Sequence, residues 1–76
     1  MKEKIGEIAG KIWEILGEKG EMKISQLPGT MKEKGDIVYQ ALGWLAREEK
    51  IFYSQKKNHT FVSLSDKERD IFKKAH

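Results

Sequence analysis

The sequence predicts a mostly helical α+β fold: a three-helix core with one short strand, a β-hairpin and a C-terminal helix. Three observations carry the prediction. Ile5, Ile8, Ala9, Ile12, Ile15 and Leu16 recur with a 3.6-residue period, the signature of one buried helix face. Asp36 to Lys50 repeats it with Ile37, Val38, Ala41, Leu42 and Leu45. After Lys50 the pattern turns extended, with Ile51-Phe52-Tyr53 and Thr60-Phe61-Val62-Ser63-Leu64 flanking a polar tip.

The first helix is expected from Lys2 to about Lys19, closed by Gly20 as a left-handed cap. Gly6, Gly10 and Gly17 lie inside it, within about 40° of one another on the helical wheel and beside Trp13. Each costs roughly 1 kcal/mol against alanine. That cost predicts close approach of a backbone or a large aromatic, the alternative being unselected surface glycine. Glu21 to Ile24, bounded by Gly20 and Ser25, is long enough for one brief strand.

Ser25 reads as the N-cap of a short second helix, Gln26 to about Lys32, with Pro28 in its first turn and Leu27 and Met31 as apolar anchors. Lys34, Gly35 and Asp36 then form a turn, with Gly35 free to take a positive φ and Asp36 capping the third helix. Thr30 and Glu33 offer a rival capping box, which would start that helix five residues earlier. Ser65 and Glu68 form a further capping box for a last helix, Asp66 to about Lys74, whose apolar side chains are Ile71, Phe72 and Ala75. It is expected to pack as a satellite on a single domain spanning 1–76, with its core in 1–64 and the helix in 65–75.

Seventy-six residues hold one small core. Without cysteine there are no disulfide staples, thiolate nucleophiles or thiolate metal sites, as suits a reducing compartment. The longest apolar runs are far short of the roughly 20 residues a membrane span needs, and a cytoplasmic protein with no membrane partner is expected. The two histidines, His59 and His76, and carboxylates dispersed among lysines give neither a nucleophile–base pair nor metal-ligand spacing. Glu48 and Glu49 are adjacent and point to different sides of a helix. The expectation is therefore no enzyme, no cofactor, no metal and no small-molecule substrate. The net charge is +3, and its excess lies outside the third helix, with +2 in residues 51–64 and +1 in residues 65–76.

Helix, short strand, helix, turn, helix and hairpin, at these lengths, is the layout of a winged helix-turn-helix. The run Ala41-Leu42-Gly43-Trp44-Leu45-Ala46-Arg47-Glu48-Glu49-Lys50-Ile51 resembles the corresponding run in a family of small prokaryotic winged helix-turn-helix domains of uncharacterised function, and Ile12-Trp13 is similar to the family's first helix. The resemblance covers about residues 5 to 64, leaves out the last helix, and departs from the family's usual wording at Pro28 to Lys34. It implies DNA-binding architecture. Burying the apolar face of the third helix would present Asp36, Tyr39, Gln40, Gly43, Arg47 and Lys50 to a major groove. Gln40 suits the N6 and N7 edge of adenine and Arg47 the O6 and N7 edge of guanine. Lys56, Lys57, Asn58 and His59 at the hairpin tip, with Lys32 and Lys34 in the turn, would hold phosphates.

These residues lead to a DNA-binding winged helix protein, a transcription regulator, with double-stranded DNA as partner. A solvated helix face and a merely soluble hairpin tip are the plainer alternatives. The functional rival is a protein-interaction or dimerisation module without nucleic-acid affinity. Trp13 and Trp44 bear on that choice: burial against each other is favoured for residues this large, whereas exposure would make them anchors for a homodimer or another protein partner.

Overall fold

The computed structural model describes residues 2–76. The chain runs α1 (Lys2–Lys19), β1 (Glu21–Lys23), a 3₁₀ turn (Ile24–Gln26), α2 (Leu27–Met31), α3 (Gly35–Arg47), β2 (Ile51–Lys56), β3 (His59–Leu64) and α4 (Asp66–Ala75). This is the winged helix architecture expected, and the differences lie at the joins.

The apolar stripes meet as their spacing requires. Ile8, Ala9, Ile12 and Leu16 of α1 face Val38, Ala41, Leu42 and Leu45 of α3, and Met22, Ile51, Val62 and Leu64 close the core from the sheet. Truncating any of the buried leucines to alanine costs about 2 to 5 kcal/mol, a large share of what a domain of this size has. In the antiparallel sheet β3 is central, in the order β1-β3-β2, with Met22 and Tyr53 both opposite Val62. The hairpin ladder ends at the pair Lys56 and His59. Its turn is therefore only Lys57 (φ 50°) and Asn58 (φ 66°), a type I′ turn whose twist matches that of the strands. His59, assigned to the tip by sequence, is thus a strand residue beside it.

Gly20 ends α1 as expected, with φ 86° and its N–H donating to Leu16 O at 2.8 Å. Ser25 is not an N-cap. It lies inside the 3₁₀ turn, α2 starts at Leu27, and no side chain caps it. The turn explains why: the Leu27 amide donates to Ile24 O, and Pro28 has no amide hydrogen, so a serine hydroxyl has nothing to do there. The turn before α3 is also built differently. Lys32 supplies the left-handed residue (φ 58°), Gly35 does not take a positive φ and is the first residue of α3, and the N-cap position falls to Lys34 without a side-chain bond. Asp36, two residues past the N-cap position, accepts the Ile37 N–H at 2.8 Å. Its charge still sits in the first turn, where the helix dipole favours it. The earlier start does not occur, because Thr30 belongs to α2 and Glu33 is drawn to α1, its carboxylate 3.5 Å from both Lys4 and Lys11.

At its other end α3 stops at Arg47, three residues before Lys50. Glu49 turns left-handed (φ 59°), its N–H donates to Ala46 O, and the Lys50 N–H donates to Leu45 O, both at 3.0 Å. This is a Schellman closure with glutamate in the position glycine normally takes.

The helix-1 glycines divide into two kinds. At Gly17 a Cβ would overlap the Phe72 ring of α4, the close aromatic approach that the glycine cost predicts. At Gly6 and Gly10 a Cβ would meet nothing within 4 Å among the described residues. Through Gly17, α4 becomes more than a satellite, since Phe72 joins the core cluster. Trp13 meets Phe72 edge-on at 5.3 Å, and His76 stacks on Phe72 at 4.0 Å. Ser65 accepts the Glu68 N–H at 3.4 Å as predicted, while the Glu68 carboxylate accepts Trp13 Nε1–H at 2.9 Å.

Candidate nucleic-acid interface

The core contacts of α3 leave Tyr39, Gln40, Gly43 and Arg47 exposed on its outward face. Nothing among the described residues lies within 4 Å of a Cβ built at Gly43, so the middle of this face is open to a close neighbour. Tyr39 stands at one flank with its ring laid over the α2–α3 turn: a Cβ at Gly35 would lie 3.4 Å from Tyr39 Cε2 and 3.9 Å from Pro28 Cγ. Lys50 is not on this face. Beyond the Schellman closure it folds back with its Nζ 5.9 Å from the centre of the Trp44 ring.

Lys32 and Lys34 are exposed on either side of the less exposed Glu33. The ion pairs of Glu33 with Lys4 and Lys11 place an opposing charge beside its carboxylate and leave the two turn lysines as the cations of this segment that face water. At the wing, Lys56 is drawn back along the sheet. Its Nζ is 2.9 Å from Glu21 Oε1 and 5.5 Å from the centre of the Phe61 ring, which sets it apart from Lys57, Asn58 and His59. Exposed pairs of this kind are worth about 0 to 1 kcal/mol, so Lys56 is readily released to a stronger anion. The predicted residues thus form three groups: Tyr39, Gln40 and Arg47 on α3, Lys32 and Lys34 before it, and Lys56 to His59 at the wing.

Trp44 corrects the expectation of burial, for it is 45% exposed. It lies at the edge of the apolar face of α3, and Gly6 and Gly10 of α1, which line the same space, carry no side chain to cover it. Trp13 and Trp44 both line an open groove of about 270 Å³, with Lys50 and Glu68 also on its walls. Sequence reasoning paired the tryptophans but set Lys50 on the outward face of α3 and read Glu68 only as the N3 capping residue. Among the described residues no group of three or more His, Cys, Asp or Glu is placed to hold a metal ion, and no helix is long and apolar enough to cross a membrane.

The fold recurs in known proteins. Lactococcus lactis ZitR superposes with a TM-score of 0.82 over 97% of this chain at 22% identity, and this chain spans 58% of that one. The transcriptional regulator HlyU from Vibrio vulnificus superposes with a TM-score of 0.79 over 92% of this chain and 73% of its own, at 20% identity. BT2368 from Bacteroides thetaiotaomicron is more similar in sequence, 30% identical over 83% of this chain and 77% of its own, with a TM-score of 0.74. The uncharacterised protein MJ1608 of Methanocaldococcus jannaschii is 52% identical over 52 residues, 64% of this chain and 73% of its own. The family model described as "Winged helix-turn-helix domain (DUF2582)" matches residues 1–64, up to the last residue of β3, and the chain belongs to that family.

Proposed function

We propose that this protein is a DNA-binding regulator that lays α3 in the major groove and its wing on the sugar–phosphate backbone. The observation that carries the reading is the open face of α3. Gln40 and Arg47, side chains suited to adenine and guanine edges, stand exposed around Gly43 with open space above it. Lys32, Lys34 and the Lys56 to His59 segment then supply phosphate contacts, which position the protein without specifying sequence. Tyr39 flanks the reading residues. The place of a transcriptional regulator among the structures sharing this fold supports the assignment. The proposed function includes no catalysis, and its setting is the cytoplasm.

The test is titration of random-sequence duplex DNA into isotopically labelled protein while backbone amide shifts are followed. Shifts are expected at Tyr39, Gln40, Gly43 and Arg47 and from Lys56 to His59. With about four phosphate contacts, affinity should fall on the order of a hundredfold between about 50 and 200 mM salt. Unmoved amides at millimolar protein and low salt would refute the reading.

A further inference from the structure

We infer that the outward face of the sheet binds single-stranded nucleic acid, stacking successive bases on Phe52, Phe61 and His59. The site does not depend on α3 or on what α3 reads. Residues directly opposite one another in a ladder share a face. Ser63 stands opposite Glu21 and Phe52, Phe61 opposite Lys23 and Ser54, and His59 opposite Lys56. The sheet residues of the core, Met22, Ile51, Val62 and Leu64, alternate with these and point the other way. A solvated face of an antiparallel sheet is ordinarily polar. This one holds Phe52, 55% exposed, beside the half-buried Phe61.

The three rings form a track. Phe52 and Phe61 are diagonal neighbours on adjacent strands, and Phe61 and His59 are two residues apart on β3, so each step is about 7 Å. The track crosses the face from the β2 edge to the hairpin tip. Bases of a single strand have free π-faces that such rings can take one after another, whereas the bases of a duplex are already stacked on each other.

The charges suit a polyanion that also carries rings. Lys23 and Lys56 flank Phe61 from the two edge strands, and Lys57 lies beyond His59 in the turn. Lys56 Nζ already rests 5.5 Å from the centre of the Phe61 ring while pairing with Glu21 at 2.9 Å. A nucleotide replaces both ties, giving its phosphate to the ammonium and its base to the ring, and an exposed ion pair is readily exchanged in this way. Glu21 is the one carboxylate among the described residues of this face, and it stands at the corner of β1, off the aromatic track.

Fluorescence anisotropy with labelled oligothymidylate and oligouridylate of about eight nucleotides tests the proposal. Both should bind at low salt, and the tighter of the two identifies the natural strand as DNA or RNA. With about three phosphate contacts the logarithmic salt slope should be about −2. Phe52→Leu keeps an exposed apolar side chain but removes the π-face, and should weaken binding about 5- to 150-fold, while Phe52→Tyr should retain it. Amide shifts should fall on Lys23, Phe52, Ser54, Phe61 and Ser63, with Gln40 and Gly43 unmoved. An abasic strand of equal length binding as tightly would overturn the proposal, since charge alone would then suffice. So would displacement of the strand by an equal concentration of polyglutamate, which would mark the face as a site for acidic protein segments. Shifts confined to α3, or no binding at millimolar protein, would overturn it as well.

Discussion

Alanine placed at the three α1 glycines should give opposite signs within one helix. At Gly6 and Gly10 the new methyl meets no atom of the described residues within 4 Å, so only backbone propensity changes, and each substitution should stabilise the fold by about 1 kcal/mol. For a domain of this size that raises Tm by roughly 4 to 8 °C. At Gly17 the same gain is offset, because the methyl overlaps the Phe72 ring as far in as Cγ, where no rotation of the ring's far end relieves it. Phe72 must leave its place in the core, forfeiting about 1.5 to 3 kcal/mol of burial. The net expectation for Gly17→Ala is destabilisation by about 0.5 to 2 kcal/mol. Thermal and urea unfolding followed by far-ultraviolet circular dichroism, at micromolar protein, reads all three. A double-mutant cycle sharpens the test: in a Phe72→Ala background, Gly17→Ala should recover its gain of about 1 kcal/mol. Equal stabilisation by all three alanines would show that Phe72 does not occupy the Gly17 notch.

Glu49→Gly should raise the stability by up to about 1 kcal/mol, seen as an upward shift of the urea midpoint, since Glu49 holds φ 59° at the end of α3 where a side chain is strained. Lys57→Asn should separate fold from function. Asparagine suits the type I′ turn, so stability should hold or rise, while on the proposed reading DNA affinity weakens and its logarithmic salt slope falls by about 1. Alkaline unfolding should depend on Tyr53, whose phenol pKa is raised above its ordinary value of 10.0 by the desolvation that partial burial brings. The folded state favours the neutral phenol, so this contribution is complete below about pH 10 and is lost as pH climbs through the folded-state value. Tyr53→Phe should therefore lose less stability than wild type as the pH climbs past about 10, as read by urea midpoints, and identical losses would contradict the assignment.

The elements were legible from sequence because their signals are periodic: the stripes of α1 and α3 and the alternation of the hairpin each repeat over several residues. Single-residue signals proved weaker. Ser25 has the chemistry of an N-cap, but capping depends on which amide hydrogens lack acceptors, and the 3₁₀ turn had already provided one for Leu27. Gly35 appeared the natural left-handed residue, yet Lys32 took that conformation because α2 ends earlier. At the candidate interface, Gln40 and Arg47 follow from helical spacing alone. The restraint of Lys56 by Glu21 depends on β1 pairing beside β3, a contact across 35 residues that no local pattern announces. The exposure of Trp44 was hidden for a related reason. Its burial depended on what α1 presented opposite, and the glycines there had been read only for what they admit.

The join between β3 and α4 is a single buried residue, Ser65, whose N–H donates to Lys50 O at 2.9 Å. In binding terms Phe72 is a ligand delivered on a very short tether, and the Gly17 notch experiences it at an effective concentration of about millimolar or more. Any outside aromatic would have to displace that resident from this end of α1. The Gly6 and Gly10 end has no such occupant among the described residues, so the chain's own aromatic covers the glycine stripe of α1 at one end only.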